Sequence, residues 1–136
     1  MKVLVIGASG MLGYSLFSNL SENKNLNVFG TVRANQLSEH FQGYETSIFT
    51  DIDVDDFSTI ESVIKGLKPQ FVLNCVGLIK QHDVAKNHVA ALSINSLLPH
   101  KLAALCDMVS AKLIHFSTDC VFTGKQGMYT EEIAPD

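Results

Sequence analysis

Near one end of this 136-residue chain, the stretch IHFSTDCVF runs as an apolar strand until Ser117, Thr118 and Asp119 interrupt it. Hydroxyls beside a carboxylate can bond and polarise a substrate carbonyl, and they can equally cap the turn that follows a strand. At the other end, GASGMLG spaces Gly7, Gly10 and Gly13 three residues apart, with Ser9 between them as a hydroxyl donor. Glycine is needed where a chain turns tightly off a strand, where backbone approaches a pyrophosphate and where helix packs on strand. The free amides and dipole of the helix that follows favour an anion. The GxxGxxG spacing departs from the general GxGxxG, so a purely packing turn and an S-adenosylmethionine site remain alternatives. Arg33 closes VFGTVR about 20 residues past the loop, where an acid would meet a ribose 2′-hydroxyl and an arginine a 2′-phosphate. This favours NADP over NAD, with a solvated surface arginine as the alternative. Asp51, Asp53, Asp55 and Asp56 in TDIDVDD contain a DxD spacing open to a metal, but they also stand where helix caps and adenine contacts belong.

These groups need elements to place them. Apolar, β-branched runs at Val3 to Ile6, Val28 to Val32, Ile48 to Phe49, Phe71 to Val76 and Leu113 to Phe116 alternate with segments of helical length. Strands without inside-outside alternation are buried on both faces, so the expected fold is α/β: a Rossmann-type doubly wound parallel sheet in a three-layer α/β/α arrangement. One helix carries Leu12, Leu16, Phe17 and Leu20. Another starts at a cap on Asp55 or Asp56, buries Phe57, Ile60, Val63, Ile64 and Leu67, and stops before Pro69. A longer helical stretch from Val89 to Val109 contains Pro99. A proline there either frees the carbonyl of Asn95 to hold a water or opens a new helix in its first turn.

Composition narrows the function. Net charge is −4 with no run of lysine or arginine, which leaves a nucleic-acid backbone no electrostatic footprint. No apolar run approaches the roughly 20 residues of a membrane span. MKVLVIG reaches glycine before a signal-peptide core could form. Cys75, Cys106 and Cys120 form no CxxC pair and suit reduced thiols in the cytosol. His82, His88 and Asp83 match no metal-ligand spacing.

Read in order, GASGMLG, VLNCVG, SIN and HFSTDCVF resemble the extended short-chain dehydrogenase/reductase family, and within it the dTDP-4-dehydrorhamnose reductase group of nucleotide-sugar enzymes. The likeness covers the whole chain, and STDCVF is its most specific piece. It implies that Gly7, Gly10, Met11, Leu12 and Gly13 form the pyrophosphate loop and that Arg33 meets the 2′-phosphate of NADP. Asp53 and Val54 match the adenine contacts. Cys75, Val76 and Gly77 match a small-residue segment against the cofactor, where many members carry alanines. Asn95 matches the family's long-helix asparagine. Thr118, with Ser117 beside it, matches the hydroxyl that bonds the substrate carbonyl near the nicotinamide.

The family's proton donor is a tyrosine with a lysine four residues later. Here Tyr14, Tyr44 and Tyr129 are followed at that spacing by Ser18, Ile48 and Ile133. In the family that motif comes shortly after the segment resembling TEEIAPD. The expectation is therefore an incomplete NADP-binding Rossmann domain, truncated at its C-terminus and inactive alone, from a cytoplasmic NADPH-dependent reductase of a 4-keto nucleotide sugar. NAD is the alternative cofactor. An epimerase or dehydratase of the same family, or a non-catalytic NADP-binding regulatory subunit, are the alternative functions. Truncation would also leave KLIHF on a sheet edge and favour self-association.

Overall fold

Strand β1 (Lys2–Ile6) lies at the centre of a five-stranded parallel sheet. Strand β2 (Asn27–Thr31) and then β3 (Ile48–Phe49) pair on one side of it, β4 (Phe71–Asn74) and then β5 (Lys112–His115) on the other, giving the order β3-β2-β1-β4-β5. The computed structural model describes residues 1–78, 87–118 and 121–135. Asp119, Cys120, His82 and Asp83 lie outside them. Helix α1 (Met11–Ser21) leaves β1, and α2 (Phe57–Leu67) joins β3 to β4. Because the chain builds outward to β3 and then returns to the far side of β1, the strand order reverses between β1 and β4. Ligands of such sheets bind at that crevice.

The two faces of β1 bury alternate side chains in two cores. Val3 and Val5 join Phe17 of α1, Val28, Phe41 and Ile48, while Leu4 and Ile6 join Ile60 and Ile64 of α2. This is the three-layer packing that continuous apolar strands require. Helix α2 starts at Asp56, whose Oδ1 accepts the Ser58 amide at 3.2 Å. It ends at Lys68, which takes a left-handed conformation directly before buried Pro69. Gly66 stands near the end of α2 with open space where a Cβ would go. Gly66→Ala is therefore expected to stabilise the protein by about 0.5–1 kcal/mol, through helix propensity and a less flexible unfolded chain, read as a higher denaturant midpoint.

The helical stretch from His88 to Val109 neither runs unbroken nor restarts after a gap. After α3 (His88–Leu92) the backbone widens into a π turn over Ser93–Leu97, where the Leu98 amide bonds the Ser93 carbonyl five residues back. Helix α4 (Leu98–Val109) follows without interruption and carries Pro99 in its first turn, where a missing N–H costs least. By length and composition alone this 22-residue stretch could cross a membrane, although His88, His100, Lys101 and Asp107 interrupt its apolar runs. Its Ile94, Leu98, Leu102, Leu105 and Cys106 instead pack into the sheet core with Leu4 and Ile6.

Strand β5 lies at the sheet edge, as expected for KLIHF, and is not buried on both faces. Leu113 packs on the α2 and α4 side, but Ile114 is 43% exposed and Phe116 just beyond is 39% exposed. Among the described residues β4 pairs with β5 along one side, and none pairs with its other side.

Candidate nucleotide site

The C-terminal ends of β1, β2 and β4 open onto a groove of about 230 Å³ lined by Ile6, Gly7, Ser9, Gly10, Thr31, Arg33, Ile52, Asp53, Val54, Cys75, Val76 and Gly77. Sites that enclose a small ligand usually span roughly 300–1,000 Å³. The described residues thus form a wall along which a ligand would lie. Met11, Leu12, Gly13, Asn95, Ser117 and Thr118 are not part of the lining.

The loop after β1 needs its glycines for three separate reasons. Gly7 has φ +81°, and a Cβ there would stand 2.7 Å from Val76 Cγ2. Gly10 starts α1 without a side-chain cap, which leaves the amides of Met11, Leu12 and Gly13 in the first turn without an intrahelical acceptor. Gly13 is buried against the loop, where a Cβ would fall 2.1 Å from the Gly7 carbonyl oxygen. Gly7 and Gly10 keep the backbone open to the groove, and Gly13 lets α1 lie close beneath it.

Thr31 is not singled out by the sequence reading, although it is a polar residue closing the apolar run of β2. It is 2% exposed, its Oγ1 accepts the Gly7 amide at 3.2 Å, and its carbonyl accepts the Ala8 amide at 2.9 Å. One residue of β2 thus holds the entrance of the glycine loop. Thr31→Val keeps the shape and removes the acceptor. It is expected to cost about 1–3 kcal/mol in denaturant unfolding through the unsatisfied Gly7 amide, with Thr31→Ser restoring most of it.

Arg33 is exposed at one end of the groove, with Asp53 and Val54 beside it on the segment between β3 and α2. The aspartates there serve the backbone. Asp53 Oδ1 accepts the Asp55 amide at 3.1 Å, and Asp56 Oδ1 accepts both the amide and the hydroxyl of Ser58. Among the described residues no group of three or more histidines, cysteines or acids could hold a metal ion. Asp53 and Asp56 thus shape the turn and the start of α2.

The wall beyond β4 is built by two asparagines. The Cys75 amide continues the sheet by bonding the Ile6 carbonyl at 3.0 Å. The Val76 amide bonds Asn74 Oδ1 at 3.2 Å. Asn95, from the π turn, clamps Leu78 twice: its Oδ1 accepts the Leu78 amide at 2.8 Å and its Nδ2 donates to the Leu78 carbonyl at 2.9 Å. Asn95 thus fixes the backbone of Leu78, directly after Gly77.

Burial pushes the Cys75 thiol up from 9.0 to about 11, so it lines the groove as a neutral group at physiological pH. Burial, with Asp107 adding to it, moves buried Cys106 likewise to about 11. Raised thiol pKa values mean that the unfolded chain loses these protons first. Stability is then fully present below 9.0 and falls as pH rises from 9.0 towards 11. A melting temperature that drops across that window, and drops less in Cys106→Ala, is the expected result.

Ser117 and Thr118 are exposed and lie one residue past β5, at the same edge of the sheet as the groove. The three tyrosines are engaged in packing. Tyr14 and Tyr44 contact Phe41 and Phe17, and Tyr129 stacks on Phe122 at 4.5 Å. Tyr129 also accepts the Gln126 amide, which lowers its pKa.

Comparison with known proteins follows this geometry. The model of the RmlD substrate binding domain family matches residues 1–136. The chain belongs to that family. An RmlD-type relative, the dTDP-4-keto-6-deoxy-D-glucose reductase of Streptomyces niveus, is 31% identical over 121 residues, covering 89% of this chain and 36% of the relative. Methionine adenosyltransferase 2 subunit beta of Bos taurus is 27% identical over 138 residues, covering 99% of this chain and 37% of that protein. A hypothetical dTDP-4-dehydrorhamnose reductase of Sulfolobus tokodaii has the same fold, with a TM-score of 0.80 at 26% identity over 100% of this chain and 46% of its own. The RmlD-like chain therefore spans less than half the length of the relatives it matches. The extended short-chain dehydrogenase/reductase likeness read from its motifs holds, and the family's relatives include oxidoreductases of nucleotide sugars.

Proposed function

We propose that residues 1–136 form the NADP-binding Rossmann domain of a cytoplasmic reductase that acts on the 4-keto group of a nucleotide sugar with NADPH. The observation carrying this reading is the groove at the switch between β1 and β4, in which a glycine loop, an exposed arginine and a small-residue wall meet. The residues present suit the cofactor. Gly7 and Gly10 leave room for a pyrophosphate where side chains would intrude, and α1 turns its free amides towards it. Arg33 presents a fork of donors to a 2′-phosphate, and Asp53 and Val54 flank the adenine. Asn95 holds the wall that Cys75, Val76 and Gly77 present.

Bound NADPH supplies the hydride. Thr118 donates a hydrogen bond to the substrate carbonyl oxygen and Ser117 supports it. No tyrosine in the sequence is followed by lysine four residues on, so the proton comes from residues outside this stretch. Lack of a general acid typically lowers rate by about 10²- to 10⁴-fold, so this chain alone should turn over little. Fluorescence titration with NADPH and NADH tests the reading. Tighter NADPH binding is expected, and the absence of binding by either would refute it.

A second reading rests on the similarity to methionine adenosyltransferase 2 subunit beta. On that reading the groove of this chain would bind NADP, and the protein would serve as a non-catalytic subunit of a partner enzyme. Ketone reduction by the whole protein carrying this domain separates the two, because a purely regulatory subunit would bind NADPH without consuming it.

A further inference from the structure

Asn74 ends β4 at 0% exposure, one of the two polar residues in the buried set, and its side chain has a specific task. The Val76 amide can only donate, so the Asn74 atom 3.2 Å from it must be Oδ1. That leaves Nδ2, a donor only, 3.1 Å from His115 Nδ1. His115 Nδ1 must then accept, and the imidazole proton sits on Nε2. Sheet register pairs Asn74 with His115, and the Phe116 amide reaches the Asn74 carbonyl at 3.5 Å. A single buried amide therefore ties the wall that begins at Cys75 to the residues that lead into Ser117 and Thr118.

We propose that Asn74 and His115 are a positioning pair: Asn74, by donating to His115 Nδ1, sets the Ser117–Thr118 segment against the β4 wall of the nucleotide groove. The proposal rests on the nucleotide reading of that groove. Neither residue lines it, so both act through the backbone they hold. His115 is the more informative of the two, because its side chain is exposed and its loss spares the cores.

The test has two independent arms in the protein carrying this domain. Imidazole ¹⁵N shifts at mildly alkaline pH should show His115 with an unprotonated Nδ1 and a protonated Nε2. Asn74→Asp, whose two carboxylate oxygens both accept, should move the proton to Nδ1. Protonated Nδ1 in the parent, or no change in the variant, overturns the pair. In the second arm, His115→Ala should weaken NADPH binding by about fivefold to tenfold, as expected for one lost orienting hydrogen bond. The same variant should leave 2′,5′-ADP, which occupies only the Arg33 half, unchanged. His115→Gln, whose amide oxygen can accept from Asn74 Nδ2, should recover most of the loss. Unchanged NADPH affinity in His115→Ala, or equal losses for both probes, overturns the positioning role. If the parent binds neither probe, the nucleotide reading falls and the positioning role with it, while the tautomer result still stands as a statement about the fold.

Discussion

Gly13→Ala is expected to destabilise the protein by about 3 kcal/mol or more, a fall of roughly 10 °C in melting temperature, and to abolish nucleotide binding. The added carbon would sit 2.1 Å from the Gly7 carbonyl oxygen, 2.8 Å from the Gly7 carbonyl carbon and 3.1 Å from the Ala8 Cα. All three are backbone atoms, so no rotamer change can relieve the contact. The loop has little freedom to retreat, because Thr31 holds the amides of Gly7 and Ala8 and because Gly7 already lies against Val76. Helix α1 would have to move away from β1. That opens the core around Phe17 and withdraws the first-turn amides from the groove together. A Cβ at Gly30 would instead meet mainly side-chain atoms, at 2.8 Å from Ala8 Cβ and from Ile48 Cδ1, so Gly30→Ala should cost less. Denaturant unfolding with a parallel NADPH titration measures both effects, and a Gly13→Ala protein that melts within a few degrees of its parent would remove this account of the loop.

The strand positions were legible because a parallel sheet covered on both faces writes itself as continuous apolar runs. The runs at Val3, Val28, Ile48 and Phe71 became β1 to β4, β3 with the same ends and the others shifted by one or two residues. Strand β5 departs from burial on both faces, as the edge position expected for KLIHF implies, and nothing among the described residues covers Ile114. The groove was legible for a related reason. In this topology the residues just after each strand converge on one edge, so Gly7, Arg33, Asp53 and Cys75 meet although they are far apart in sequence. Contacts between a side chain and a distant backbone left no local pattern to read. Asn95 on Leu78 and Asn74 beside His115 depend on sheet register and on where the π turn aims a side chain. Thr31 and Asn74 did leave one signal, a polar residue closing an apolar strand. Such residues are buried only when a specific partner satisfies them.

Arg33→Gln is expected to weaken NADPH binding by about tenfold to a hundredfold and to leave NADH binding unchanged, as follows from losing one or two charge-assisted hydrogen bonds to a phosphate. The position supports a phosphate contact. Arg33 lines the groove beside Asp53, it is exposed, and among the described residues no carboxylate pairs with it. An exposed arginine works through water and salt, so the discrimination between NADPH and NADH should shrink as ionic strength rises. Arg33→Lys separates charge from shape: it keeps the cation and loses the planar fork, and an intermediate NADPH affinity is the expected result. Equal affinities of the parent protein for the two cofactors would remove Arg33 from this role. The glycine loop would then remain a pyrophosphate site of unassigned cofactor preference, because the amides of α1 meet the same pyrophosphate in either nucleotide and carry no information about the 2′ position.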